Sequence, residues 1–385
     1  LDIHQILMLK NKIYKYLSTE ILKNFITILL TFTTIAWTVK AVNFLDLMIE
    51  DGYSAAIYFE YSLLNISTIV TRFIPLSFLL SLIISIAKFE RQQELLILWS
   101  SGLNKIKIVN IFFLISILIT LFQIILSIFI NPYSLNKSRS LLRETNITQI
   151  NSILKTNDFS DSFKGVTFYI DKKEKNGDLI NIFIKDDNGS INTIVNEVGK
   201  NNSSTIIAKR GVTTNNKLIL FDGFVQSLNK KKEIQNINFV KTELSLSNFS
   251  TRTIKQPKIQ ETSTYDLVKC YKSKIVENLQ NCSYQNKKKE VVENLSRRMG
   301  MPLYIPLISI IASFMLIYQK EEKYNYLKKY IIFIFAFIVL LFAEIVLKFT
   351  GFSSMNFVLY FATPLFLFVV LYALLIKNMT LENKI

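Results

Sequence analysis

Apolar residues gather along this chain in six long runs, three on either side of a polar middle. The first three cover Asn24–Val42, Ser62–Ala87 and Ile108–Ile130; the last three cover Met299–Tyr318, Lys329–Lys348 and Met355–Ile376. Each approaches or exceeds the ~20 apolar residues needed to cross a hydrocarbon core about 30 Å thick. The pattern predicts an α-helical membrane protein with six spans arranged 3 + 3. Residues 1–130 form an N-terminal membrane half, 131–298 a central extramembrane domain and 299–385 a C-terminal membrane half. A polar and mixed lead precedes the first run with no small-residue cleavage site, so that run predicts a retained helix and not a removed signal.

Within the middle the hydrophobic period changes to two. Val166, Phe168 and Ile170 alternate with polar neighbours across Gly165–Asp171, and Ile180, Ile182 and Ile184 repeat the pattern before Asp186-Asp187-Asn188-Gly189, which predicts a turn. Further predicted strands are Ser204–Ala208, Lys217–Leu220 ahead of a turn at Asp222-Gly223, and Ile237–Leu246. Short alternating runs separated by Asn, Asp and Gly predict an all-β domain, an antiparallel sandwich or roll. After Thr264, helical patterns at Tyr265–Leu279 and Lys287–Arg298 lead back towards the fourth run.

Basic residues in the short loops set the orientation. Asn43–Tyr61 has no Lys or Arg but carries Asp46, Glu50, Asp51 and Glu60, whereas Lys88–Lys107 holds Lys88, Arg91, Lys105 and Lys107. Lys320, Lys323, Lys328 and Lys329 follow the fourth run, Phe349–Ser354 is uncharged, and Lys10, Lys12, Lys15 and Lys23 precede the first run. The positive-inside rule then places both termini in the cytoplasm and 131–298 on the far side of the membrane; long translocated domains escape that rule, so the domain's own basic residues are no obstacle.

The net charge of +16 invites a nucleic-acid reading, but the basic residues flank the spans or spread over a Lys/Asn/Ile-rich middle, with no nucleic-acid-binding motif beside them. A single histidine, His4, leaves no material for Ser-His-Asp catalysis or a His-rich metal site. No GxxxxGK[ST] loop is present, so P-loop ATP hydrolysis is not expected of this chain. Cys270 and Cys282 suit either a disulfide in an oxidising compartment or two free thiols.

Lys88–Lys107 is the richest stretch. Glu90, Arg91 and Glu94 precede the apolar run Leu95–Trp99, and Ser100-Ser101-Gly102 closes it with a glycine where a helix C-terminus favours positive φ. A short helix with acidic residues at its start and exposed apolar side chains can dock in a partner's groove, or serve as a plain amphipathic connector.

Here the chain resembles the LptF/LptG (YjgP/YjgQ) permeases of the lipopolysaccharide export transporter of Gram-negative bacteria. The resemblance is carried by Phe73–Gly102, FIPLSFLLSLIISIAKFERQQELLILWSSG, by Lys40 and Val42, and by the 3 + 3 plan with its β-rich insert. Arg298 and Pro302 favour the LptF type, with the LptG type as the alternative. The resemblance implies a non-catalytic inner-membrane subunit with a periplasmic β-jellyroll that receives lipopolysaccharide and passes it to a jellyroll bridge. It implies a cytoplasmic coupling helix at about 89–102, using Glu90, Arg91, Glu94, Leu95, Leu98 and Gly102, with Glu94 as the coupling glutamate. Implied partners are an LptB-like ATP-binding-cassette ATPase dimer, an LptG-like sister permease and a single-span LptC-like bridge protein. No cofactor is expected in this chain, ATP and Mg²⁺ being bound by the ATPase.

Ionisable residues inside spans are costly, on the order of 3 kcal/mol at mid-membrane, and so are candidates for function. In the orientation above Lys40, Arg72, Glu344 and Lys348 fall in the outer half of the membrane, where lysine and arginine can pair with lipid phosphates. Snorkelling lysines and a structural Arg72–Glu344 pair are the alternative readings. Lys40 also matches a lipid-contacting lysine implied by the resemblance.

A receptor with a sensing domain would carry a sizeable cytoplasmic output domain, and only Lys377–Ile385 follows the last run. A lipoprotein-release permease would place its outer domain after the first span. A lipid-modifying enzyme would need a convergent acid–base set.

Overall fold

The computed structural model describes residues 3–49, 53–148, 156–163, 165–174, 178–187, 203–214, 217–228, 234–245, 258–272, 285–317 and 322–382. Its helices are α1 (Ile3–Phe44), α2 (Asp46–Ile49), α3 (Ala55–Leu64), α4 (Ile66–Arg91), α5 (Glu94–Ser100), α6 (Lys105–Ile125), α7 (Asn131–Thr148), α8 (Thr264–Tyr271), α9 (Gln285–Met299), α10 (Tyr304–Ser313), α11 (Glu322–Leu347) and α12 (Ser354–Glu382). A π-helical turn, Leu126–Ile130, joins α6 to α7. Six stretches are long and apolar enough to cross a membrane: Lys12–Ile49, Ala55–Arg91, Lys105–Leu142, Lys288–Leu316, Leu327–Leu347 and Ser354–Thr380. Each overlaps one run expected from the sequence. The chain divides into two compact units, one of residues 1–39, 65–136 and 258–385, the other of 40–64 and 137–257.

The first unit is helical. Its core packs Leu17, Ile21, Phe25 and Leu29 of α1 against Ile74, Phe78, Leu82, Ile86 and Phe89 of α4 and Ile108, Phe112, Ile115 and Ile119 of α6. Helix α10 is apolar all round, with Ile305, Leu307, Ile308 and Ile310 fully buried, the signature of a central helix. Polar contacts join the spans: Gln123 Nε2 donates to Thr71 O at 3.2 Å, Asn131 Nδ2 to Thr71 Oγ1 at 3.0 Å and Asn24 Nδ2 to Ser85 Oγ at 2.9 Å, among others. Hydroxyls and amides of this kind hold membrane helices together where apolar surface gives no preference over lipid. Arg298 is buried and donates to Thr264 Oγ1 at 2.7 Å and to the carbonyls of Gln260 and Thr262 at 3.1 and 3.0 Å, clamping the segment that re-enters the membrane. Cys270, buried on α8 beside Leu267 and Val291, is disulfide-bonded; the chain's other cysteine, Cys282, lies outside the described residues.

The second unit contains the expected central β domain. Strands β1 (Phe159–Phe163), β2 (Val166–Lys173), β3 (Leu179–Asp186), β4 (Ser204–Thr214), β5 (Lys217–Leu228) and β6 (Ile234–Ser245) form one antiparallel sheet in sequence order. Its ladder breaks along one line across five strands, skipping Asp171, Asn181, Lys209, Asp222 and Val240 in turn. Asn181 and Asp222 have positive φ, 52° and 51°, and Asn181 Nδ2 donates to Asp171 Oδ2 at 3.0 Å. The inward phase shifts at that line: Ile184 and Ile182 give way to Leu179 on β3, Ile206 and Ala208 to Gly211 on β4, and Leu218 and Leu220 to Val225 on β5. A one-residue slip of this kind exchanges faces and bends the strand. Among the described residues the core of this sheet is made of strand side chains, Phe168, Ile182, Ile184, Ile206, Leu218 and Leu220 among them.

That line corrects two expectations. Ile180 does not share the inward face of Ile182 and Ile184, because Asn181 lies between them. Asp222-Gly223 is not a turn but the bend inside β5, which continues to Leu228. The helix expected at Tyr265–Leu279 is described only as Thr264–Tyr271, and Asn188-Gly189 lies outside the described residues. Helix α7 and strand β1 were not expected.

Candidate functional site

The stretch between the second and third spans is an elbow of three helices. Helix α4 ends at Arg91, Gln92 follows, and Gln93 adopts φ +57°. A left-handed residue other than glycine costs roughly 1–2 kcal/mol and marks a sharp, fixed change of direction. Glu90 and Arg91 therefore close α4, and α5 is the separate seven-residue helix Glu94–Ser100.

The end of α5 is closed by a Schellman motif: Leu103 N donates to Leu98 O at 3.1 Å and Gly102 N to Trp99 O at 3.0 Å. This requires φ +75° at Gly102, where an added Cβ would meet nothing within 4 Å; conformation alone selects glycine. Asn104 then caps α6, its Oδ1 accepting from Ile106 N at 2.9 Å. Left-handed residues thus bracket α5 at both ends.

The faces of α5 differ. Leu95 is 6% exposed and belongs to the membrane-unit core, and Leu98 and Trp99 pack against that core half-buried. Leu96 and Ile97 are 64% and 61% exposed. Lys105 Nζ lies 5.3 Å from the Trp99 ring centroid. Arg91 is exposed and has no ion-pair or hydrogen-bond partner among the described residues.

Three polar contacts tie the elbow to other spans. Tyr16 Oη of α1 donates to Glu94 Oε1 at 3.0 Å. Lys88 of α4 is ion-paired with Glu20 of α1. Lys329 Nζ of α11 lies 2.7 Å from Glu90 Oε2. Tyr16, Glu20 and Lys329 did not stand out in the sequence. Their signal was present in the i, i+4 spacing of Tyr16 and Glu20 and in Lys329 lying on the same expected side of the membrane.

The four membrane-level candidates are dispersed. Glu344 on α11 pairs with Arg297 on α9, Nη1 lying 3.3 and 3.2 Å from its two carboxylate oxygens. The Arg72–Glu344 pair is thus not formed; Arg72 is exposed on α4 and has no partner among the described residues. Lys348 is exposed just beyond α11. Lys40 is half-buried in the last turns of α1 and belongs to the other unit.

The elbow presents an exposed apolar pair, Leu96-Ile97, on a fixed frame with flanking charge. A family model described as lipopolysaccharide export system permease LptF/LptG matches residues 15–378. The chain is also 24% identical over 243 residues to the uncharacterized protein RP871 of Rickettsia prowazekii (strain Madrid E), covering 62% of this chain and 64% of that relative.

Proposed function

The chain belongs to the LptF/LptG family of lipopolysaccharide export permeases, and from that premise we propose that it is the LptF-type membrane subunit of an ATP-driven exporter. It works as a multi-pass inner-membrane protein with both termini cytoplasmic and the β domain periplasmic. It takes lipopolysaccharide from the periplasmic leaflet and hands it to a periplasmic bridge. Hydrolysis belongs to a separate ATPase, which binds ATP and Mg²⁺.

The observation that carries this reading is α5: a short helix on a fixed elbow, its Leu96-Ile97 pair open to a partner and its other face locked into the membrane core. A groove-binding helix needs that division between anchor and contact. The disulfide at Cys270 supports an oxidising compartment for the segment leading back to the fourth span. On α1, exposed Thr27, Thr31, Thr34 and Thr38 follow one stripe, each hydroxyl donating to a backbone carbonyl of the same helix. Small residues at that spacing suit close approach of a second membrane helix, here from a sister permease. Arg72, Lys348, Lys40 and Arg297 are the cations offered to lipid phosphates, with Glu344 holding Arg297.

Affinity purification from detergent-solubilised membranes tests the assignment. An ATP-binding-cassette ATPase, a second six-span permease and a single-span bridge protein are expected in the eluate. Recovery of an LptF-type sister would reassign this chain to the LptG type. Absence of both ATPase and sister, or protease cleavage of the β domain from the cytoplasmic side of sealed vesicles, would overturn the reading.

A further inference from the structure

The elbow is joined to two membrane helices, α1 and α11, by polar contacts. Among the described side chains of α1 the buried ones are Leu17, Ile21, Phe25, Leu29 and Thr33. The helix is therefore held in the core from Leu17 to Thr33, the stretch that carries Glu20 and begins beside Tyr16. Helix α11 packs through one stripe, Ala336, Leu340, Ala343 and Leu347, and its elbow end is held by Lys329 on Glu90 and by Lys328 Nζ donating to Ile317 O at 2.7 Å.

We propose that Tyr16, Glu20 and Lys329 are positioning residues that transmit displacement of α5 to the first and fifth membrane helices, Tyr16 by holding the Glu94 carboxylate and the other two by gripping Lys88 and Glu90 at the end of α4. The proposal rests on the permease reading above. Its physical basis is stiffness. Left-handed Gln93 and Gly102 fix the direction in which α5 leaves and returns. Leu95 seats α5 in the core, and the Tyr16 ring lies 6.2 Å from the ring of buried Phe89. A push on Leu96 and Ile97 therefore cannot be absorbed by a slack loop and reaches both helices through charged or charge-assisted contacts, the strong class of hydrogen bond. It also gives Glu94 a defined partner within its own chain, so any cation of the docked ATPase must share or displace Tyr16.

The test uses the complete complex in proteoliposomes loaded with purified lipopolysaccharide, recording ATP turnover and lipopolysaccharide released to a soluble acceptor. Y16F keeps the ring and removes only the hydroxyl. It should retain the ATPase and its turnover while the lipid released per ATP falls about tenfold, the scale of one charge-assisted hydrogen bond. E20K and K88E should each lower that ratio, and E20K/K88E should restore most of it, a rescue that excludes simple misfolding. An unchanged ratio in Y16F and in both single reversals overturns the proposal. So does a loss confined to ATPase retention and thermal midpoint, which would make the contacts mere supports of the elbow. A wild-type complex that contains no ATPase overturns the permease reading itself, a result visible before any variant is made.

Discussion

Arg297 and Glu344 meet across two helices, the guanidinium of α9 lying 3.2 Å from the carboxylate of α11. Glu293, one turn back on α9, reaches the same arginine at 3.8 Å. Removing either member of such a pair leaves the other charge without its counter-ion, and desolvation of a lone charge outweighs the loss of a pair. The side chains are 36% and 45% exposed, so the effect is discounted from the buried case. Arg297→Ala should lower stability in detergent by about 1–2 kcal/mol, and Arg297→Ala with Glu344→Ala by less than Arg297→Ala alone. Thermal unfolding of the two variants side by side decides it; a larger loss in the double variant would show that the pair is not what restrains Glu344.

Neighbouring leucines on α5 should respond in opposite ways. Leu95 is 6% exposed, and Leu95→Ala removes packed core volume, at a cost of about 2–4 kcal/mol. Leu96→Asp and Ile97→Asp change side chains with no core role and should leave the thermal midpoint nearly unchanged while abolishing ATPase retention. Co-purification and melting curves on the same samples separate the two. Retention of the ATPase by both aspartate variants would remove α5 as the docking helix.

Gly102 tests the frame. With φ +75° and no neighbour near an added Cβ, Gly102→Ala costs conformation only, about 1 kcal/mol, and Gly102→Asn less, since asparagine tolerates the left-handed region. Stability should fall in the order Gly, Asn, Ala, and ATPase retention should follow. Equal behaviour of Ala and Asn would mean that the Schellman closure is not what holds the helix end.

The sequence made the spans, the β middle and the Gly102 closure legible, for physical reasons that differ. An apolar run of membrane length admits one conformation in lipid, and a glycine at a helix end admits few. The phase shift in the sheet was not legible, because Ile180, Ile182 and Ile184 alternate without a flaw and only the left-handed Asn181 places Ile180 on the opposite face. Asp222-Gly223 reads as a turn because bends and turns call on the same residues. The Arg297–Glu344 pair was missed in favour of Arg72 because the fourth span begins well before its apolar run, at Lys288, which brings Arg297 level with Glu344. The elbow contacts span most of the chain, and no local pattern announces a hydrogen bond between residues 16 and 94.

Two substitutions on β5 should move the stability of the full chain in opposite directions. At Gly223, beside the bend, an added Cβ would stand 2.3 Å from Ile207 O and 2.9 Å from Ala208 Cα, both backbone atoms of the neighbouring strand. Neither can rotate away, so Gly223→Ala must push strands apart and should cost about 1–3 kcal/mol. Ser227, on the same strand, pairs across with Ser204, and the hydroxyls of both are buried with no hydrogen-bond partner among the described residues. Removing such a hydroxyl removes a desolvated group and no bond, so Ser227→Ala should raise stability by about 1 kcal/mol. Melting curves of the detergent-solubilised protein, with Cys270 oxidised in every sample, give both signs. A stabilising Gly223→Ala would mean that the strands at the bend are not in close contact, and a destabilising Ser227→Ala that its hydroxyl holds a bond inside the β domain.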